Sequence, residues 1–346
     1  MSPLATTWAG ATARAFGFTS YVSTANNRYV ATATTGTPYV AAYPWTPGFG
    51  AKYSNPATLP GGAAEGVTFN SAATAIAIAH AGSPYVSTYP FSSGFGAKYT
   101  DPATLPPSTA HAVTFNGSGS VIAVAHDISP FVSAYPWSAG FGTKYSNPAT
   151  SFVEANYGIA FSPSGDTIIG VSKTTSPYIH AYPWSAGFGT KYSGPATALP
   201  GSANGISFHP SGTAVAIANL QSPYALVYAW SAGFGTKYSS PATLPVSSVN
   251  GINFAPNGNT LAIATQASSY LQAYPWSAGF GTKYTDPVGA TGAGRSTMFN
   301  AQSNQIVLGA ASTPYIHAFP FAAGFGTKYS DPATLPGTTG ASVAFG

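Results

Sequence analysis

The sequence predicts an all-β protein: a seven-bladed β-propeller of four-stranded antiparallel blades, with the ring closed by the C-terminal strand. The first observation behind this is the tripeptide Gly-Phe-Gly. It recurs with its Phe at Phe49, Phe95, Phe141, Phe188, Phe234, Phe280 and Phe325, copies 45 to 47 residues apart. The second is that each period of about 46 residues holds four short strand-like pieces, which is the content of one propeller blade. The third is composition: charged residues make up 5% of the 346, with 39 Gly and 30 Pro. An ordinary soluble protein is about a quarter charged, so a conventional helical enzyme is not expected.

Within a repeat, the first piece is a short stretch ending in Phe, as in Gly158 to Phe161 or Gly205 to Phe208. A turn follows, Ser162-Pro163-Ser164-Gly165 or Ala255-Pro256-Asn257-Gly258, of the kind that reverses a hairpin. The second piece, Ile76 to Ala79 or Leu261 to Ala264, is a continuous apolar run that suits a strand buried on both faces. The third, Tyr178 to Trp184 in the fourth copy, places Tyr178, Tyr182 and Trp184 on one face by alternation. The fourth begins at Lys191-Tyr192. Its Pro residues cannot donate to a ladder, so it is expected at an edge.

The ends bear on closure. Gly340 to Phe345 repeats the first piece without the rest of its repeat, and its natural place is beside Tyr29 to Thr34. This gives a propeller over 24–346 and an N-terminal arm over 1–23, with Trp8 and Phe16 available for docking. The segment Gly17 to Thr24 competes for the same slot but carries Ser23 where the Phe is expected.

At 45% hydrophobic the chain has enough apolar material to fold, and no run reaches the roughly 18 apolar residues of a membrane helix. Met1 to Phe18 lacks the continuous apolar core of a secretory signal. Cysteine is absent, which removes disulfides and thiolate chemistry. A formal charge of +4 without basic runs makes duplex nucleic acid a poor partner.

Seven of the eleven basic side chains fall in one repeated pair: Lys52-Tyr53, Lys98-Tyr99, Lys144-Tyr145, Lys191-Tyr192, Lys237-Tyr238, Lys283-Tyr284 and Lys328-Tyr329. As a functional ring these pairs offer weak, multivalent contact to an anionic partner, for example the phosphate or carboxylate groups of a surface glycan. As a structural device, the lysines keep an edge strand from pairing with other molecules. Tyr43, Trp45, Tyr135, Trp137, Tyr182 and Trp184 suit sugar stacking, or wedges between blades with hydroxyls reaching a partner at the rim. The histidines fall into a pair at His80 and His126, a pair at His180 and His317, and single residues at His111 and His209. Glu65, Asp101, Asp127, Glu154, Asp166, Asp286 and Asp331 show no tight cluster along the chain, and Asp101, Asp286 and Asp331 precede prolines as turn formers. No catalytic residue, metal site or cofactor is therefore expected.

The segment Ile159-Ala160-Phe161-Ser162-Pro163-Ser164-Gly165 resembles the first-strand and turn signature of WD-repeat-like propellers, although Trp-Ser-Ala-Gly-Phe-Gly replaces the Trp-Asp dipeptide. The repeat wording around Tyr-Pro-Trp-Ser-Ala-Gly-Phe-Gly is similar to that of structural proteins predicted in tailed bacteriophages. That resemblance implies a non-enzymatic virion component, in capsid decoration or tail and fibre, located at a virion surface or outside the cell. Its partners would be other virion or surface proteins and host-surface glycan, with no nucleic acid and no membrane insertion. The alternatives are a lectin-like multivalent glycan binder and an enzyme similar to the propeller lactonases, whose channel mouths gather acidic and His groups.

Overall fold

The computed structural model of the chain describes residues 28–346. The N-terminal arm, with Trp8, Phe16 and the competing segment Gly17 to Thr24, lies outside the described residues.

Among the described residues every regular element is a strand, and the strands form seven antiparallel sheets, an arrangement consistent with a seven-bladed propeller. Sheet 1 combines Gly340–Phe345 with Tyr29–Thr34 and Val40–Pro44. Sheets 2, 3 and 4 start at Ala64–Phe69, Ala110–Phe115 and Asn156–Phe161; sheets 5, 6 and 7 start at Ala203–Phe208, Val249–Phe254 and Gly294–Phe299. Each of these inner strands packs against the inner strands of both neighbouring sheets, and Gly340–Phe345 lies between Gly294–Phe299 and Ala64–Phe69. The middle strands, such as Ala75–His80 and Thr260–Thr265, are buried at every position, as their unbroken apolar runs require.

Six sheets have three strands where four were expected. Only sheet 5 forms the fourth, Phe234–Lys237, which pairs with Ala225–Trp230. The reason is one residue. The outer strands of the other sheets end at Pro44, Pro90, Pro136, Pro183, Pro275 and Pro320, whereas sheet 5 has Ala229, which supplies the N–H that proline lacks. Elsewhere the hairpin shrinks to a single bridge, for example Trp45 to Phe49 or Trp184 to Phe188. The outer strand of sheet 4 is also shorter than expected, Ile179–Pro183, because Tyr178 sits at φ 61°, outside the extended region.

The outer-strand aromatics fill the seams between sheets. Tyr43, Tyr89, Tyr135, Tyr182, Tyr228 and Tyr274 are fully buried. Their hydroxyls donate to carbonyls one sheet back, those of Thr334, Thr58, Thr104, Thr150, Thr197 and Thr243, at 2.6 to 3.0 Å. Burial raises the phenol pKa, to about 12 at Tyr89 and Tyr228.

Candidate functional site

All seven inner strands carry a β-bulge at the same place, visible as a register shift against the middle strand. A bulge leaves one residue out of the ladder and re-aims its side chain. The skipped residues are Glu65, His111, Tyr157, Asn204, Asn250, Arg295 and Ala341, six different side-chain types in seven equivalent places. Because neighbouring inner strands touch, bulge side chains of adjacent sheets come together at the same end of those strands, called the mouth below.

His111 is the centre of the cluster. Its Nδ1 lies 2.6 Å from Glu65 Oε2 and its Nε2 2.6 Å from Asp127 Oδ1. Asp127 directly follows the middle strand Val121–His126. With a carboxylate at each nitrogen, both nitrogens can donate only when the ring is protonated, so the arrangement favours the imidazolium. Burial opposes the charge, yet the two hydrogen-bonded carboxylates more than offset it, and the His111 pKa rises. Burial likewise pushes Glu65 up, but the His111 hydrogen bond and the charges of His111, Lys173 and Arg295 hold its carboxyl below the ordinary range.

Tyr157 stacks on His111, with centroids 4.2 Å apart and planes inclined by 28°. Lys173 Nζ sits 3.5 Å from the centroid of the same Tyr157 ring. Burial lowers the Lys173 pKa, Glu65 and Asp127 oppose the shift, and Arg295 adds to it. The loop carrying Lys173 is held by Glu154, whose carboxylate accepts the Thr174 and Thr175 N–H groups at 2.8 and 2.6 Å. The other side of the mouth is neutral. Asn204 Nδ2 and Gln266 Nε2 donate to Asn250 Oδ1 at 3.0 and 3.1 Å, and Asn250 Nδ2 donates to the Gly294 carbonyl at 2.8 Å. Arg295 is exposed.

Chemically, this mouth offers an oriented carboxylate beside cations, an aromatic pair and an amide network. The expectation that the acids form no cluster is corrected: Glu65 and Asp127 are far apart in sequence but converge on His111. The signal was legible as a column. Aligned on the repeat, six of the seven bulge residues are polar or charged, and their identities change where the rest of the unit is retained. Among the described residues, no three His, Asp or Glu groups are placed to hold a metal ion.

The repeated Lys-Tyr pairs lie away from this mouth. Only Lys237 belongs to a strand. The Lys98, Lys283 and Lys328 ammonium groups pair with Asp101, Asp286 and Asp331, and Lys52 and Lys144 donate to Asn55 and Asn147. The three aspartates before proline thus also act as lysine partners. Each pair tyrosine turns its ring edge-on to the next sheet, as Tyr192 does to Trp230 and Tyr329 to Trp45. His80 and His126 are buried and bond Ser87 and Ser133 in their own sheets. His180 is also buried, His317 contacts Thr291, and His209 meets the Gly258 carbonyl.

No family model matches the sequence, and no curated protein is significantly similar to it. Solved structures do match. One is a provisionally assigned 6-phosphogluconolactonase from Bacteroides fragilis, 11% identical, with a TM-score of 0.67 over 93% of this chain and 99% of that one. A protein from Lactobacillus plantarum is 12% identical, with a TM-score of 0.71 over 92% and 99%. The periplasmic gluconolactonase of Pseudomonas aeruginosa is 13% identical, with a TM-score of 0.60 over 90% and 99%. The chain shares their fold. The expectation of a non-enzymatic virion component is overturned: the likeness runs to proteins named as lactonases, along nearly the whole of both chains. The assignment of no enzymatic activity falls with it. The likeness to phage repeats finds no counterpart in these matches.

Proposed function

We propose that the chain is a lactonase-like propeller that hydrolyses the cyclic ester of a polyhydroxylated acid at the mouth described above. The reading takes the seven sheets as a closed ring fastened by Gly340–Phe345, and the names of the structural neighbours supply the reaction class. The observation that carries it is the His111 clamp. Opening a lactone requires a base to take a proton from the attacking water and positive charge to offset the oxygen that becomes anionic. Glu65 is ionised at neutral pH, fixed by His111 and sensed electrostatically by both Lys173 and Arg295. In this scheme Glu65 takes the water proton, Arg295 and Lys173 stabilise the developing oxyanion, and the proton passes to the departing ring oxygen as the acyl–oxygen bond breaks. Asn204, Asn250 and Gln266 supply amides to substrate hydroxyls, and Asp127 holds the far side of His111.

The test is turnover on a panel of five- and six-membered sugar lactones, phosphorylated and not, at mildly acidic pH where spontaneous opening is slow. Wild type is expected to exceed the uncatalysed rate on at least one member. Glu65→Gln is expected to lower kcat on the order of 100-fold or more, the typical contribution of a positioned general base. The variant chain should still fold but melt somewhat lower, because His111 loses one of its two carboxylates. No turnover across the panel, or full activity in Glu65→Gln, rejects the reading.

A further inference from the structure

We infer that the rim of the molecule binds a neutral polysaccharide through repeated clefts at the seams between sheets, independently of the chemistry at the central mouth. Such clefts occur at three of the seams among the described residues. At the seam of sheets 1 and 2, a cleft of about 350 Å³ is lined by Tyr53, Ser54 and Asn55 from one side and by Ser92, Ser93 and Gly94 from the other. The equivalent seam of sheets 6 and 7 holds one of about 740 Å³, between Tyr284, Thr285 and Asp286 and the loop Ala323 to Gly326. The seam of sheets 4 and 5 has a cleft of about 450 Å³ that again joins Tyr192 to Ser231 and Ala232 and extends to Ser164 and Ser211.

Three features point to sugar as the occupant. First, the lining is a partly buried tyrosine ring set against serine hydroxyls and glycine backbone, apolar surface with polar tips, which matches the alternation of C–H and O–H groups on a pyranose. The preceding tyrosine lies within 4.0 Å of where a Cβ on Gly94, Gly233 or Gly324 would stand, so the absence of a side chain there keeps the cleft open beside the ring. Second, charge is cancelled locally at three of the seven pairs. The lysine beside each of Tyr99, Tyr284 and Tyr329 is ion-paired with Asp, whereas those beside Tyr53 and Tyr145 keep their charge and donate to a neutral Asn amide. The Asp166 carboxylate in the cleft of sheets 4 and 5 is held by Ser and Thr hydroxyls. The clefts thus carry scattered charge of both signs and not the concentrated single-sign field that captures a polyion.

Third, the rim and the mouth have diverged differently within the same repeats. The bulge column presents six residue types in seven places, whereas Gly-Phe-Gly and Lys-Tyr occur in all seven copies, together with exposed Ser or Thr directly after the tyrosine. A single active site needs one copy of each group. Seven like surface copies serve a ligand that itself repeats, where contacts too weak to hold one sugar gain by simultaneous engagement.

Affinity electrophoresis of the full chain in gels containing soluble neutral polysaccharides (a β-glucan, an α-glucan, a galactomannan and a xylan) tests this, with a polyanionic gel and a polysaccharide-free gel as references. Wild type is expected to be retarded by at least one neutral polymer, with free monosaccharide competing only at concentrations at least 100-fold higher in sugar units. The triple variant Tyr53→Leu, Tyr192→Leu, Tyr284→Leu is expected to lose at least 10-fold in affinity. Tyr→Phe at the same three positions keeps the rings and the packing and is expected to retain most of the affinity. His111→Gln is expected to bind as wild type while losing turnover, which separates failure at the rim from failure at the mouth. No retardation of wild type by any neutral polymer overturns the inference. So does retardation by the polyanion alone, or binding that vanishes in His111→Gln.

Discussion

At the residue scale, the same side chain takes opposite roles according to its neighbours. His111 holds its proton more tightly than a free imidazole because carboxylates occupy both nitrogens. His80, His126 and His180 are buried without such partners, and desolvation lowers each pKa to about 4 from an ordinary 6.5. For these three the folded state binds fewer protons than the unfolded chain. Stability is complete above 6.5 and declines as pH falls from 6.5 to 4, by up to about 3 kcal/mol per histidine. His111 runs the other way, contributing in acid and losing its contribution as pH rises through its raised folded value. Thermal melting against pH should therefore fall steeply on the acid side. His80→Asn with His126→Asn should flatten that fall, because Asn219 already occupies the equivalent place in sheet 5; an unchanged acid limb rejects the assignment. Glu154 acts through Lys173 and is a positioning residue. Glu154→Ser, a type found at the aligned Ser108 and Ser247, should lower kcat with little change in KM, because Lys173 acts on the oxyanion that forms in the transition state. These pairings were not legible in the sequence, because a clamp between Glu65, His111 and Asp127 depends on which strand ends meet in space.

At the element scale, the inner and middle strands were readable because burial on both faces leaves an unbroken apolar run, and Ala75–His80 and Val121–His126 are fully buried as such runs demand. The fourth strand was misjudged. Its prolines were weighed, whereas the decisive proline lies in its partner. Where Pro183 ends the outer strand of sheet 4 the hairpin is a single bridge, and where Ala229 stands the ladder continues to Lys237. Ala229→Pro is therefore expected to reduce sheet 5 to three strands at modest cost, since six sheets already have that form. Pro183→Ala is expected to extend sheet 4. Amide hydrogen exchange reads the contact directly: the Ala229 N–H of wild type and the N–H that Pro183→Ala introduces should both be protected, whereas the Gly189 N–H already donates to the Pro183 carbonyl and should not change. Free exchange at positions 229 and 183 alike removes the account. The bulges were also unreadable from propensity alone, since a bulge leaves its mark in register and not in residue type.

At the scale of the whole molecule, the number of sheets was plain from the seven Gly-Phe-Gly copies, while the way the ends meet depends on one strand. Gly340–Phe345 pairs with Tyr29–Thr34, the Arg28 and Tyr29 N–H groups donate to the Gly346 carbonyl, and Gly36 N donates to Thr338 Oγ1. Phe345 is fully buried, with its ring 5.6 Å from that of Trp45, and Trp45 in turn meets Tyr329 of sheet 7. Removing 340–346 would expose the ladder of Tyr29–Thr34 and leave Trp45 and Phe69 facing an empty slot. If the ring is fastened here, the truncated chain should lose cooperative unfolding and pair edge to edge with other copies. A synthetic peptide spanning 337–346, added in trans, should restore a monomer. Phe345→Ala, which keeps the strand but opens a cavity, should cost about 3–5 kcal/mol, the range for a buried Phe. Size-exclusion chromatography with thermal melting decides the matter. A truncated chain that stays monomeric and melts as the full one does would show that the C-terminal strand decorates the first sheet without fastening the ring. The mouth would then have to keep its geometry from the contacts among its remaining inner strands alone.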